Sequence, residues 1–246
     1  MQISFFEEFP TKENLAKIKL VPFPTRLYLA ALSLREFQSI HVPSKKVKEN
    51  IYWPILRKKE GYWFSPFSER KALLRTLHDI HGSTVPILWD AELPTHTNLF
   101  LYMTQCRNFF RNRKQIRSFV AQRKNMYTAE YFPSSPLSRK LLYFLGVSFS
   151  TATHFPVKML YSSMHTFSED HIRAEISSAQ ETYGKRLRIA LGTLTHGIHG
   201  DEPAIDPKIL LRDLRIVQQQ KVQEVILYRL GGLNKEYLNI LKPFTQ

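Results

Sequence analysis

Apolar runs of five to nine residues alternate along this chain with stretches in which apolar residues recur at helical spacing. The first run, 3–9, has β-type composition and stops at Pro10; Thr11 then has the chemistry of a helix N-cap, with Leu15 and Ile18 on the apolar side. A second strand is predicted over 26–32, followed by a short helix capped by Ser33 and carrying Leu34, Phe37 and Ile40. A third covers 50–56, with Pro54 marking its end or a bulge. After an aromatic loop over 61–68, Leu73, Leu74, Leu77 and Ile80 define a helix, and Gly82 stands where a C-terminal cap belongs. The run 86–94 reads as a buried strand ending in two acids, Asp90 and Glu92. The longest helical pattern follows, with Leu99, Tyr102, Met103, Cys106, Phe109, Phe110, Ile116, Phe119 and Val120 on one stripe.

The second half repeats the scheme. A strand over 126–132 precedes a helix over 137–145 opened by Pro133-Ser134-Ser135-Pro136. Two candidate strands, 147–150 and 158–164, follow with no helix between them. A helix over 168–183, a strand over 188–194, a helix from Asp206-Pro207 to 220, a strand over 225–230 and a helix over 234–241 complete the chain. Strands separated by helices must run parallel, because a parallel pair needs a crossover. Nine candidate strands and 246 residues predict a single α/β domain over 1–246: a (β/α)8 TIM-type barrel, irregular around the sixth strand, where one of the two adjacent runs is surplus. No Gly-x-Gly-x-x-Gly or phosphate-loop pattern supports a nucleotide-binding open sheet.

Charge narrows the partners. The chain has 35 Lys and Arg against 21 Asp and Glu, a net +14, which favours anionic partners and says nothing of fold. The single cysteine, Cys106, fits a reducing compartment and is expected in the core of its helix. The N-terminus has acids where a secretory signal has basic residues, and no run approaches the ~20 apolar residues of a membrane span. A soluble cytoplasmic protein is the expectation.

In a parallel barrel the C-terminal strand ends hold the chemistry. Glu7 and Glu8, Asp90 and Glu92, Glu130, and Asp201 with Glu202 all fall at such ends. Strand alternation puts Asp90 and Glu92 on one face. Two acids side by side suit general acid–base work, one protonated and one ionised. Glycoside hydrolysis uses such a pair together with flat apolar surfaces for sugar rings; Tyr52, Trp53, Tyr62, Trp63 and Trp89 offer those. The plainer roles for the same residues are helix caps, pairs with Arg26, Arg70 or Arg229, and core packing. The loop His196-Gly-Ile-His199-Gly-Asp201-Glu202 contains metal-ligand types, but its glycines serve a turn and three-residue histidine spacing on a loop sets no ligand geometry. A substrate contact by His199 is favoured over a metal, and no cofactor is implied. The serines lack a nucleophile elbow.

Arg107, Arg111, Arg113, Lys114, Arg117, Arg123 and Lys124 fall on the long helix with no acid between Glu92 and Glu130. This positive face suits phosphate backbones or an anionic membrane surface, or is simply a solvated outer helix. It supports the alternative of a non-catalytic barrel that binds an anionic partner through Arg107, Arg111, Lys114 and Arg117.

The strand ends Phe6-Glu7-Glu8, Tyr52-Trp53-Pro54, Trp89-Asp90-Ala91-Glu92 and Thr128-Ala129-Glu130-Tyr131, with Gly200-Asp201-Glu202-Pro203 and Tyr228-Arg229-Leu230-Gly231-Gly232, resemble members of the glycosidase-like (β/α)8-barrel superfamily over nearly the whole chain. Of the Asp-x-x-Asp-x-Asp-x-Glu signature of chitinase-like barrels, only the Asp-x-Glu ending is present. The resemblance implies a mouth-located site acting on a glycan or related small polar substrate. Glu92 is then the general acid, Glu130 or Glu8 the base or nucleophile, and Asp90 a like charge that tunes Glu92. Tyr52, Trp53, Trp63, Trp89, His199, Glu202, Tyr228 and Arg229 are the expected substrate contacts.

Overall fold

The computed structural model describes residues 1–96, 98–124, 126–133, 135–149 and 152–245. The chain folds as a (β/α)8 TIM-type barrel. Its elements follow one another as β1 (Gln2–Glu7), α1 (Lys12–Ala16), β2 (Thr25–Ala31), α2 (Leu34–Ser39), β3 (Val47–Pro54), α3 (Arg70–Asp79), β4 (Leu88–Asp90), α4 (Phe100–Thr104), α5 (Phe109–Gln122), β5 (Tyr127–Ala129), α6 (Pro136–Leu145), β6 (Phe155–Leu160), α7 (Glu169–Tyr183), β7 (Arg188–Leu191), α8 (Pro207–Gln219), β8 (Glu224–Tyr228) and α9 (Lys235–Leu241). The sheet order is β3-β2-β1-β8-β7-β6-β5-β4, and a parallel bridge between Tyr52 and Ile87 joins the two ends of that order. Helix starts follow the local chemistry. Thr11, Ser168 and Asn234 each accept a backbone N–H of their own first turn, and Asp206 does so ahead of Pro207.

Contact density divides the chain into two compact units, 1–30 with 40–51 and 157–246, and 31–39 with 52–156. In the first, β1 pairs with β2 and β8, and β7 with β6 and β8, all parallel. Alternation sends Ile3, Phe5 and Glu7 to one side of β1 and Ser4 and Phe6 to the other. On the second side a carboxylate, Glu224, sits 1% exposed at the start of β8. Its Oε1 accepts from Ser4 Oγ (2.6 Å) and Tyr28 Oη (3.1 Å); its Oε2 accepts from Arg26 Nη1 (2.9 Å) and Arg188 Nε (3.0 Å). One buried charge is thereby satisfied by residues of β1, β2 and β7 at once.

In the second unit β4 pairs with β5, Asp90 opposite Ala129. Trp89 faces the helices, stacked on Phe64 (centroids 4.1 Å) and tilted against Phe119 of α5 (5.2 Å). A polar residue anchors this side. The fully buried Asn112 of α5 donates from Nδ2 to the carbonyls of Pro66 and Ser68 and accepts from Arg70, fastening the aromatic loop that precedes α3.

Three expectations need correction. Among the described residues there are eight strands rather than nine: residues 147–149 form none, and Ser150, the last of the predicted run, lies outside the described residues, as does Ser134 of the turn before α6. The long helix breaks at Gln105, whose side chain accepts the Asn108 amide three residues on (3.1 Å) and the backbone N–H of the distant Arg70 (3.3 Å), a tertiary bond that a helical pattern does not encode. As a result Leu101, Phe109, Asn112, Ile116 and Val120 are buried, whereas Leu99, Met103 and Phe110 are exposed. Cys106 is likewise exposed, its thiol against the Met103 carbonyl, and not a core residue.

Removing Glu224 leaves Arg188, which is nearly buried, without its counter-charge. Glu224→Gln should cost about 3–5 kcal/mol of unfolding free energy in urea titrations. The pair replacement Glu224→Leu with Arg188→Met should recover a large part of that loss.

Candidate active site

The strand ends of the first unit gather Glu8, Tyr161, Glu202 and Tyr228. Tyr228 ends β8 and donates its hydroxyl to Glu8 Oε2, a buried contact. Burial, then the charge of Glu8 and that hydrogen bond, push the Tyr228 phenol far up. Tyr161 lies beside it, ring centroids 6.0 Å apart. Two glycines permit this crowding: a Cβ on Gly192 would fall 2.5 Å from the Tyr161 ring, and one on Gly197 would fall 2.0 Å from the Tyr228 hydroxyl.

Glu202 organises the loop after β7. Its carboxylate accepts the backbone N–H groups of Gly197 (2.9 Å), His199 (3.1 Å) and Gly200 (3.0 Å), and its carbonyl contacts His196 Nδ1 (2.7 Å). Burial works to raise its pKa, but these N–H bonds and its own backbone N–H outweigh that and leave it lowered. Among the described residues no group of three or more His, Cys, Asp and Glu is placed to hold a metal ion. Glu7 points the other way from Glu8, to Arg229 Nη1 (3.1 Å), Asn14 and the N–H groups of Phe9 and Gly231. Its pKa is raised by burial, against the opposing effect of Arg229 and those bonds. Arg229 also donates to the His196 carbonyl (2.9 Å) and lies over Phe9, so its guanidinium is engaged in holding β1 to the loop after β7.

The second unit holds a separate group. Asp90, 3% exposed at the end of β4, accepts from Trp53 Nε1 (3.1 Å). Glu92 is half-buried just beyond that strand. The strand stops at Asp90, so the two-residue repeat does not extend to Glu92. What links the two acids is Tyr131. Burial first, then the charges of Glu92 and Asp90, push its hydroxyl up to about 12. That phenol, 40% exposed, therefore lies within electrostatic reach of both carboxylates.

Comparison with known proteins adds the fold context. No family model and no curated protein matches the sequence. Two solved structures align over the whole chain at 12% identity. They are the PgaB (BpsB) glycoside hydrolase domain from Bordetella bronchiseptica, with TM-score 0.57 and 98% of that chain covered, and the spore cortex-lytic enzyme SleL from Bacillus megaterium QM B1551, with TM-score 0.56 and 74% covered. The likeness is one of fold.

Several expected substrate contacts are placed elsewhere. Trp89 has no exposed surface and is a packing residue of the β4–α5 layer. Tyr52, equally buried, stacks on Phe37 of α2 (5.0 Å), away from the strand-end carboxylates of its unit. Trp63 packs edge-on against Tyr62 (5.1 Å) and is 8% exposed. His199 is exposed and contributes its backbone N–H to Glu202. Glu130 stands one residue beyond Ala129, the register partner of Asp90, so alternation turns it to the other side. There it accepts from Thr128 Oγ1 (2.9 Å) and the Phe149 N–H, tying residue 149 to β5. The structure thus brings Asp90, Glu92 and Trp53 together and separates Glu130 from them. Tyr131 and Tyr161 were not foreseen; Tyr131 was reachable by extending the Tyr127, Ala129 alternation by one step.

Burial raises the Glu130 carboxyl to about 7, against the opposing bonds from Phe149, Thr128 and Ser148. The unfolded chain releases this proton near 4.5 and the folded chain keeps it to about 7, so folding takes up a proton within that window. Stability should therefore fall as pH rises from about 4.5 to 7, by on the order of 3 kcal/mol from this group, and level off above. Urea titrations across pH 4–8 should show that slope in the wild type and its loss in Glu130→Gln.

Proposed function

We propose that the chain is a single-domain, glycoside-hydrolase-like enzyme acting on a polysaccharide, with Glu92 as the proton donor and Asp90 as the second carboxylate. The observation that carries the reading is the convergence of Asp90 and Glu92 on the Tyr131 phenol beside the Trp53 indole, at a C-terminal strand end of a TIM-type barrel. The glycoside hydrolase domain of PgaB and the cortex-lytic SleL share the fold and add weight to a glycan substrate.

In this reading Asp90 is held by the Trp53 N–H. Two neighbouring carboxyls favour sharing a single negative charge, and the proton they keep is the one Glu92 delivers to the leaving glycosidic oxygen in this assignment. Asp90 answers the positive charge that develops at the anomeric carbon, a water oxygen then bonds to that carbon, and the proton the water loses returns to the Glu92 carboxylate. Trp53, 4% exposed, fixes Asp90 in place rather than stacking on a sugar. Glu130 is left out because its carboxyl is committed to Phe149 and Thr128.

Release of reducing ends from a panel of neutral, amino-sugar and peptidoglycan polysaccharides measures the activity. Glu92→Gln should lower it at least a hundredfold while oligosaccharide binding persists, the signature of a lost proton donor. Trp53→Phe should lower kcat with little change in KM, because Asp90 loses its fixed donor. Full activity in Glu92→Gln would remove the assignment. Equal loss in Glu8→Gln with none in Asp90→Asn would move the second carboxylate to Glu8.

A further inference from the structure

Helix α6 buries none of its residues. Leu137, Leu141 and Phe144, at i, i+4 and i+7, form an apolar stripe that is 77%, 54% and 45% exposed. A stripe of that spacing ordinarily faces a core. The exposure continues on the neighbouring helices, with Phe100 and Met103 on α4 and Phe110 on α5. Phe110 lies edge-on to Phe144, centroids 6.2 Å apart, and the buried Phe109 touches both rings, so α5 and α6 present one surface. Of the 13 large apolar side chains exposed among the described residues, eight fall between Leu99 and Phe144 apart from Tyr131 of the strand-end site. Such a concentration of exposed apolar groups marks an interaction site.

The charge on the same segment is one-sided. Residues 99–144 contain nine Lys and Arg and a single acid, Glu130, which is buried. Among the described residues none of Arg107, Arg111, Arg113, Lys114 and Arg117 forms an ion pair with a carboxylate. Arg117 lies over the Tyr143 ring at 3.9 Å and Arg113 over Phe144 at 5.3 Å, so the cations stand among the apolar groups. Burial, and then the charge of Arg113, lower the proton affinity of Arg117; the face holds positive charge that nothing on it neutralises.

We propose that the α4–α6 face docks on an anionic lipid bilayer surface. Leu, Met and Phe side chains enter the boundary between headgroups and acyl chains, while Arg and Lys reach the anionic headgroups above it. A nucleic acid would use the cations but gains nothing from Leu137, Leu141 or Met103. A second copy meeting the same face would set like charges against each other. Among the described residues no helix is long and apolar enough to cross a membrane, so the contact is with the surface.

The test is flotation of the full chain with phosphatidylcholine vesicles, with and without phosphatidylserine. Binding is expected with phosphatidylserine and should weaken in high salt. Arg107→Ala with Arg111→Ala and Lys114→Ala should weaken it on the order of a hundredfold, at roughly one tenfold step or somewhat less per cation. Leu137→Ser with Leu141→Ser, the two most exposed residues of the stripe, should abolish the part that survives high salt, with an unchanged melting temperature as the check on folding. Absence of flotation with phosphatidylserine vesicles at low salt overturns the proposal. So does flotation unchanged by the Ser variant, which reduces the contact to unspecific charge. Duplex DNA or RNA that displaces the vesicles and binds both forms equally assigns the face to nucleic acid, and a dimer lost in the Ser variant assigns it to a second copy.

Discussion

Glu224 is the charge on which the first unit depends. A carboxylate removed from water costs several kcal/mol unless donors replace its hydration, and here four donors on three neighbouring strands do so. Each donor is at the level of its strand where the parallel register places it. A slip of one residue in β1, β2 or β7 would turn its donor to the opposite face and strand the charge. The cluster therefore acts as a register pin at the N-terminal ends of these strands. The same register sets where the strands end, and with that the meeting of Tyr228 with Glu8.

Division of labour between strand ends follows. At the N-terminal ends a buried charge is fully matched and serves stability. At the C-terminal ends carboxylates occur in two states of engagement. Glu7, Glu130 and Glu202 are each held by several backbone N–H or side-chain donors and secure loops. Asp90 accepts from the indole of Trp53, and the charges of Glu92 and Asp90 both act against ionisation of the Tyr131 phenol. Glu130, although its carboxyl titrates near 7, is turned to the other side by its register and bonded to Phe149 and Thr128, so the functional reading rests on the placement of Asp90 and Glu92 beside Tyr131.

The outer layer of the second unit is built on a different balance. Its inward side is well packed, with Trp89 against Phe64 and Phe119 and Asn112 securing the aromatic loop. Its outward side leaves aromatic and aliphatic groups in water among unneutralised cations. Contacts such as Arg117 over Tyr143 and Phe144 against Phe109 still leave Leu137, Leu141 and Phe110 exposed, which is the basis for a partner.

Much of this protein was legible from the chain alone. Strand–helix alternation determined a parallel α/β fold, with length and strand count favouring closure as a barrel, and the residues that open the predicted helices at Thr11, Ser168, Asp206 and Asn234 cap them in the structure. The list of strand-end acids was also readable, since those positions follow from the pattern. Asp90 and Glu92 pair as near neighbours in the chain even though the strand stops at Asp90, but the separation of Glu130 from them follows only from its register against β4. The break at Gln105 and the buried Asn112 rest on hydrogen bonds to residues some 35 to 46 positions away, which no local period reports. The exposure of α6 was hidden for the same reason: an apolar stripe states that a face seeks cover, and only the tertiary structure decides whether the chain itself supplies it.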